Sequence, residues 1–485
     1  MLIKIFKFIG LVVFTILVNY YTDNLISSAF FVGILFFYWF SKNEGFWLAY
    51  FLVLADGFFS FFGRYEASLT AIPGMPPVEV AQFYIFLSVI KAAFRKDGER
   101  LFYETFLGGL GIYLIFLIVQ GHLAGISIEL NVQLRIVKMI SPFLLFYSLP
   151  RLFTSKGDFK ELFVYLFPVA IVTLITQVFS IVVGVPPKSI FGASGSGLAG
   201  LELDSELKGI YRGFYNQAIT LITFFGALYY LAKREKDFNP SYLMIVVASN
   251  FFMAFLSATR GWMISLTFCV AMSFVFLIRL NTRNLKAVGI SILALVLLVT
   301  SLPILSTQID QSITRMATIQ AMAEGDLTAD GTLSRLTERG PRVMKKWAES
   351  PWVGWGFSET YFQYQDGHVG NQTLLLHAGI LGMVLLFGFF FFFHAKLVLT
   401  SLNLPPDADR KSALLIFPLF FMSLMILHSS SGQKFAFHQQ VPMGMIQAIY
   451  FSFGGLVYKL ASARYSLKSK KSNRESLPDE LPVTA

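Results

Sequence analysis

The chain has 485 residues, a net charge of +10 and an apolar composition: 55% hydrophobic residues, 53 of them Phe, and only 14% charged residues, where soluble domains carry about 25%. That deficit excludes an ordinary soluble enzyme, and the single Cys269, inside an apolar run, excludes a disulfide framework or a thiolate metal centre. The positive charge does not read as nucleic-acid binding, because its distribution between apolar runs accounts for it.

The first stretch, MLIKIFKFIGLVVFTILVNYY, has a basic start and an apolar run but no small-residue cleavage site. It reads as a retained helix, not a processed leader. Apolar runs of about 17–25 residues cross a bilayer as helices. Fourteen candidates follow one another at 4–21, 26–41, 46–63, 78–94, 102–120, 131–150, 161–183, 213–232, 241–258, 261–280, 286–306, 371–395, 411–428 and 440–459. The fold class expected is an all-α polytopic membrane protein of about fourteen transmembrane helices, since only helices or closed barrels satisfy the backbone in lipid.

Lys and Arg concentrate in alternate connections, which read KAAFRKDGER, AKREKDFNP and RLNTRNLK. By the positive-inside rule these are cytoplasmic, and with an even span count so are both termini, including the basic tail 460–485. Two segments on the opposite face are long. The one at about 184–212 is rich in Gly, Ser and Pro and reads as an irregular loop. The other, 307–370, is too long for a bare connection. Thr307 to Ala323 has helical composition, GDLTADGT interrupts it, and an amphipathic piece starts near Thr332. On that piece Arg335, Arg339, Arg342 and Lys346 share one helical face, with Gly340-Pro341 placed to kink or divide it. The organisation is therefore 1–306 helices, 307–370 a partly helical external loop, 371–459 helices and 460–485 a tail.

Several polar residues converge on that external face. Arg260, in LSATRGWM, lies at the outer end between two spans. An ionisable residue at that depth is either functional or an interfacial anchor. Arg212, in YRGFYNQA, suits bidentate grip on a phosphate or the same anchoring role, with Asn216 one turn on. His368, where the long loop re-enters the membrane, is a candidate base near neutral pH. His377 reads as a packing or hydrogen-bonding residue, and His122, His428 and His438 as weak external candidates. No HExxH, DxD or GxxxxGK[ST] pattern is present, so neither a metal nor a nucleotide cofactor is expected.

RLTERGPRVMKKWAESPWVGWGF followed by HVGNQTLLLHAGILG resembles the bacterial O-antigen ligase and Wzy-type polymerase family. The family's P-x-x-G-x-G turn falls on Pro351 to Gly356, and its His-polar-x9-Gly-x-x-Gly pattern on His368, Val369, Gly379 and Gly382. Val369 departs from the expected polar residue, with Asn371 or Gln372 available to stand in. Ser257 to Gly261 and Arg212 to Asn216 also resemble family segments, and the similarity spans about 205–385.

The resemblance implies a GT-C-like membrane glycosyltransferase acting on undecaprenyl-pyrophosphate-linked glycan at the periplasmic face of the bacterial inner membrane. It implies an inverting, metal-independent transfer with no cofactor, His368 as base, and Arg260 and Arg212 on the pyrophosphate. Arg335, Arg339, Arg342, Asn216 and Asn371 are then substrate-binding candidates. The partners implied are the lipid-linked donor, a glycan acceptor, the lipid bilayer, and chain-length regulator and flippase proteins. Polymerase and ligase both remain open. A lipid-linked oligosaccharide flippase is the rival from another class, but no internal repeat is visible and the polar residues gather on one side.

Overall fold

The structure, a computed structural model, describes residues 2–62, 67–70, 77–95, 101–192, 202–204, 210–212, 215–278, 282–323, 335–405, 409–431 and 434–475. The GDLTADGT stretch and the far end of the tail lie outside the described residues, as does much of the 184–212 loop.

The protein is an all-helical, polytopic membrane protein. Its helices in order are α1 (Leu2–Tyr21), α2 (Asn24–Phe40), α3 (Glu44–Ala55), α4 (Val80–Phe94), α5 (Glu104–Leu123), α6 (Leu130–Ile140), α7 (Leu145–Leu152), α8 (Lys156–Val183), α9 (Gln217–Lys233), α10 (Pro240–Leu256), α11 (Arg260–Met272) and α12 (Thr282–Ser301). There follow α13 (Pro303–Ala323), α14 (Gly340–Trp347), α15 (Glu359–Tyr364), α16 (Gly370–Leu402), α17 (Asp409–Ser431) and α18 (Val441–Glu475). Two short antiparallel pairs add to them, β1 (Ser68–Leu69) with β2 (Val78–Glu79) and β3 (Glu202–Asp204) with β4 (Ile210–Arg212).

A helix stands at every one of the fourteen apolar runs, but only 8 among the described residues are long and apolar enough to cross a membrane. Asn24–Phe40, Glu44–Ala55, Val80–Phe94 and Pro240–Leu256 are shorter apolar helices. The run at 46–63 is shortened for a local reason. Gly57 takes φ 92 after α3, and Phe58, Phe59 and Ser60 continue with positive φ, so the chain turns aside instead of propagating a right-handed helix.

The bundle packs by close approach and by short polar contacts. A Cβ on Gly226 of α9 would lie 2.2 Å from the Phe163 ring of α8, and one on Gly45 of α3 would lie 2.9 Å from the Leu162 backbone of α8. Small residues of this kind let membrane helices touch where apolar burial gives no advantage over lipid. Across interfaces, Ser265 of α11 meets Ser423 of α17 at 2.7 Å, Ser88 of α4 donates to Ser148 of α7 at 2.9 Å, and Asn250 of α10 donates to Thr223 of α9 at 3.0 Å. Large apolar side chains point outward, among them Phe36, Phe37 and Phe391.

The two ends differ in chemistry. At one, paired charges tie neighbouring helices: Glu44 with Lys91 at 2.8 Å and Arg95 at 3.1 Å, Arg151 with Glu104 at 3.4 Å, and Lys160 with Asp237. The other end carries the long connection and the candidate residues.

Candidate functional site

The P-x-x-G-x-G turn and the following Gly-x-x-Gly pattern form one interlock. Inside α16, Gly379 adopts φ 62 and ψ −172, a conformation essentially restricted to glycine. The break strips Ile380 and Leu381 of the carbonyls at 376 and 377 that a continuous helix would offer them. Their N–H groups instead donate to Pro351 O at 2.9 Å and Trp352 O at 3.0 Å. The released carbonyls accept from the turn in return, Leu376 O from Trp355 N and His377 O from Gly356 N, both at 2.8 Å. Four bonds between segments replace two within the helix, so the buried backbone stays satisfied. Phe357 N donates to Leu117 O at 3.2 Å and Gln120 Nε2 to Gly354 O at 2.7 Å, which fixes the same turn to α5.

This interlock seats the basic helix against the start of α16. The Arg stripe begins in a wide π-turn, Arg335–Arg339, and passes into α14 with Pro341 in its first turn, where a missing N–H costs nothing. Val343 is buried with Tyr361, Val369 and Leu376, and Trp347 Nε1 donates to Pro351 O at 3.2 Å. The other face carries the charge. Arg342 donates to Asp366 Oδ2 at 3.2 Å, and Arg339 lies 3.8 Å from Asp366 Oδ1. The same Oδ1 accepts the backbone N–H of His368 at 2.9 Å. Asp366 thus joins two stripe arginines to the exposed His368 loop. Thr373 closes that loop, donating to Asp366 O at 2.8 Å and accepting its N–H at 3.2 Å. Arg335 is placed by its backbone alone, its side chain lying outside the described residues.

Asn371, in the first turn of α16, donates to Ser429 Oγ on α17 at 2.9 Å. One residue earlier, His428 packs against Gly370, where a Cβ would lie 2.3 Å from His428 O. His428 Nδ1 accepts the N–H groups of Lys434 at 2.9 Å and Phe435 at 3.1 Å. Lys434 Nζ donates to Gln217 Oε1 at 3.3 Å and stands 5.5 Å from the Trp262 ring. A relay of contacts therefore runs from the His368 loop to the starts of α9 and α11, where Asn216 and Arg260 sit.

Arg260 opens α11 directly after a strained turn. Ala258 is fully buried with φ 51, and Ser257 Oγ accepts the Thr259 N–H at 3.3 Å. Asn216, with φ 51, donates its Nδ2 to Asp56 O at 3.1 Å, and Asp56 Oδ2 accepts Ile219 N at 3.0 Å. Asp56, at the end of α3, thereby caps the first turn of α9 from another part of the chain. Residues forced into left-handed backbone cost about 1–3 kcal/mol each and concentrate where a fixed geometry is needed. Arg212 pairs through its backbone with Glu202, and its side chain lies outside the described residues.

Under the interlock lies a buried cluster. The His377 ring packs 4.6 Å from Tyr361, 4.7 Å from Phe357 and 4.7 Å from His438, and neither of its nitrogens has a hydrogen-bond partner among the described residues. His377 is thus a packing residue. His438 Nε2 bonds Tyr361 Oη at 2.6 Å, and burial, with Arg135 acting in the same direction, pushes His438 down to about 3. His122 is exposed and tied to Ile118 O and Gln133.

Sequence reasoning missed Asp366, Asp56, Gln217 and Lys434. Asp366, two residues before His368, was the findable one, because DGH juxtaposes a carboxylate with the candidate base. Lys434 is a lone cation in GQKFAFH and carries no local signal. No group of three or more His, Cys, Asp or Glu side chains gathers among the described residues.

Residues 243–393 match the family model described as O-antigen ligase, Wzy_C. That stretch takes in Arg260, the arginine stripe and His368, and leaves out Arg212, Asn216 and Lys434. No curated protein matches the chain. Among solved structures, a chain from work on the structural coordination of polymerization and crosslinking by a peptidoglycan synthase complex is 17% identical, covering 74% of this chain and 98% of that chain at a TM-score of 0.36.

Proposed function

Residues 243–393 match the Wzy_C O-antigen ligase model, and we propose that the chain is an enzyme of that family which polymerises undecaprenyl-pyrophosphate-linked oligosaccharide units by an inverting, metal-independent transfer. The observation that carries the reading is the Asp366 hub, which holds Arg339 and Arg342 beside His368 at the end of the bundle where Arg260 opens α11.

In the proposed step an acceptor sugar hydroxyl attacks the anomeric carbon of the donor. The bond from that carbon to the pyrophosphate oxygen breaks, and its electron pair leaves with the lipid pyrophosphate. The hydroxyl proton passes to the His368 imidazole. Charge builds on the departing pyrophosphate, and guanidinium groups fixed beforehand stabilise it without reorganising. Arg260 and Arg212 are assigned to that task, with Arg335, Arg339 and Arg342 guiding the donor and Asn216 and Asn371 lining the approach. The topology that goes with this reading has fourteen spans, both termini cytoplasmic and the site periplasmic, in a GT-C-like arrangement. The 307–370 connection is then a long periplasmic loop with amphipathic helices, between the helices of 1–306 and 371–459.

Purified protein given a lipid-linked oligosaccharide in EDTA should build a ladder of products on the polyprenyl carrier. A single transfer to lipid A core would make it a ligase, and loss of transfer restored by a divalent ion would end the metal-independent mechanism. Flipping in liposomes with no glycan transfer would replace the enzyme reading by transport.

A further inference from the structure

Near the starts of α9 and α11, some buried polar atoms have no partner among the described residues. Lys434 is half-buried in the connection between α17 and α18, held at its backbone N–H by His428 and at its carbonyl by Gln447. Among the described residues its ammonium makes one hydrogen bond, to the neutral Gln217 Oε1 at 3.3 Å, and faces the Trp262 ring at 5.5 Å. Asp56 acts on it electrostatically but has its Oδ2 engaged by Ile219 N. No carboxylate lies within ion-pair distance of Lys434 among the described residues. Lys91, a buried lysine at the opposite end, shows the contrast: Glu44 sits 2.8 Å from it. Two polar atoms of neighbouring residues are buried and lack a partner among the described residues: Asn216 Oδ1, one residue before Gln217, and Nε2 of His428, the residue that holds the Lys434 backbone.

A half-buried ammonium short of an anion, with unpartnered polar atoms on neighbouring residues, is costly unless something else meets it. Burial pushes Lys434 down to about 8, with Asp56 pulling the other way, so the group is still mainly a cation at neutral pH. Its neighbours Gln217 and Trp262 directly follow Asn216 and the Arg260-Gly261 pair in sequence.

We propose that Lys434 is a further phosphate-binding residue, contacting the phosphate oxygens of the lipid-linked donor next to Arg260. This rests on the functional reading above. The lysine supplies a point charge beside a guanidinium fork, and Gln217 aims it while the donor is absent.

The test uses full-length protein in nanodiscs with an undecaprenyl-pyrophosphate-linked oligosaccharide as donor. Lys434→Gln should raise the donor KM about 10- to 100-fold, the range of a lost charge-assisted hydrogen bond. The kcat should move far less, Lys434→Arg should recover most of the loss, and inorganic pyrophosphate should inhibit the Gln variant more weakly than the wild type. Unchanged KM and unchanged inhibition would overturn the proposal while leaving the transferase reading intact. A KM effect seen only in anionic lipid and absent in neutral phosphatidylcholine would assign Lys434 to bulk headgroups and overturn it too. If Lys434→Gln does not insert, Gln217→Leu should raise KM by a smaller factor, and no rise counts against the assignment. If the wild type transfers nothing, the functional reading fails. Stabilisation by inorganic pyrophosphate, compared between wild type and Lys434→Gln, then decides Lys434 by itself.

Discussion

Gly354 and Gly379 stand back to back with no room for a side chain on either. A Cβ on Gly354 would lie 2.6 Å from Gly379 N, and one on Gly379 would lie 2.5 Å from Gly354 N. Both also take positive φ, 67 and 62. Two sequence motifs separated by more than twenty residues are therefore the two halves of one backbone joint, whose product is the placement of α14 against the His368 loop.

Gly379→Ala should destabilise the protein by at least about 2 kcal/mol, from the forced backbone alone. The check is thermal unfolding of the inserted protein, with Gly33→Ala in α2 as the control. Nothing lies within 4 Å of a Cβ there, and alanine favours a helix interior. Equal unfolding temperatures for the two variants would show that the joint is not needed.

Asp366→Asn separates stability from function. Arg339 and Arg342 keep 41% and 53% of their side-chain surface exposed, so the ion pairs contribute at most about 1 kcal/mol. The unfolding temperature should barely move. Transfer should fall about 10- to 100-fold, because the arginines and the His368 loop lose their common anchor and small misplacements are costly. Steady-state kinetics decides, and full activity would reduce Asp366 to a surface contact.

The division of labour within the site is testable residue by residue. Arg260→Ala and Arg212→Ala should each cost roughly 3–4 kcal/mol of transition-state stabilisation, the scale of losing one oxyanion donor. That is about 100- to 1,000-fold in rate. Lysine at either position should restore only part of it, since a point charge lacks the fork. His368→Ala should abolish transfer yet leave donor binding in place. Full transfer by a correctly inserted Arg260→Ala protein would remove the centre of the mechanism.

The periodic part of this architecture was legible in the sequence. Apolar runs located the helices, and the spacing of Arg335, Arg339, Arg342 and Lys346 located the π-turn and α14 together, because both signals repeat with the helical period. Boundaries set by local backbone were not: α3 stops at Ala55 because Gly57 to Ser60 turn left-handed, and composition shows only another Phe-rich run there. Within the candidate site, local motifs picked out His368 and Arg260 as candidates. The site was hidden where partners are distant in the chain. Asp366 reaches Arg342 across 24 positions and Lys434 reaches Gln217 across 217, pairings that no spacing rule contains.

The buried cluster behind the joint gives a prediction with a fixed sign. Burial pushes His438 down to about 3, from an ordinary value near 6.5, while Tyr361 and Arg135 face it from other elements and His377 packs on its ring. Between those two pH values the unfolded chain binds a proton at His438 that the folded chain refuses. The contribution is therefore intact above about pH 6.5 and is lost as pH falls towards 3, by up to about 1.4 kcal/mol per pH unit. Thermal unfolding between pH 7 and pH 4 should show a falling midpoint. His438→Gln, which keeps an acceptor for Tyr361 but cannot titrate, should flatten that slope while costing some stability at pH 7. An unchanged slope in the variant would mean that His438 is protonated within the folded protein, and that the Tyr361 hydroxyl is not what it holds.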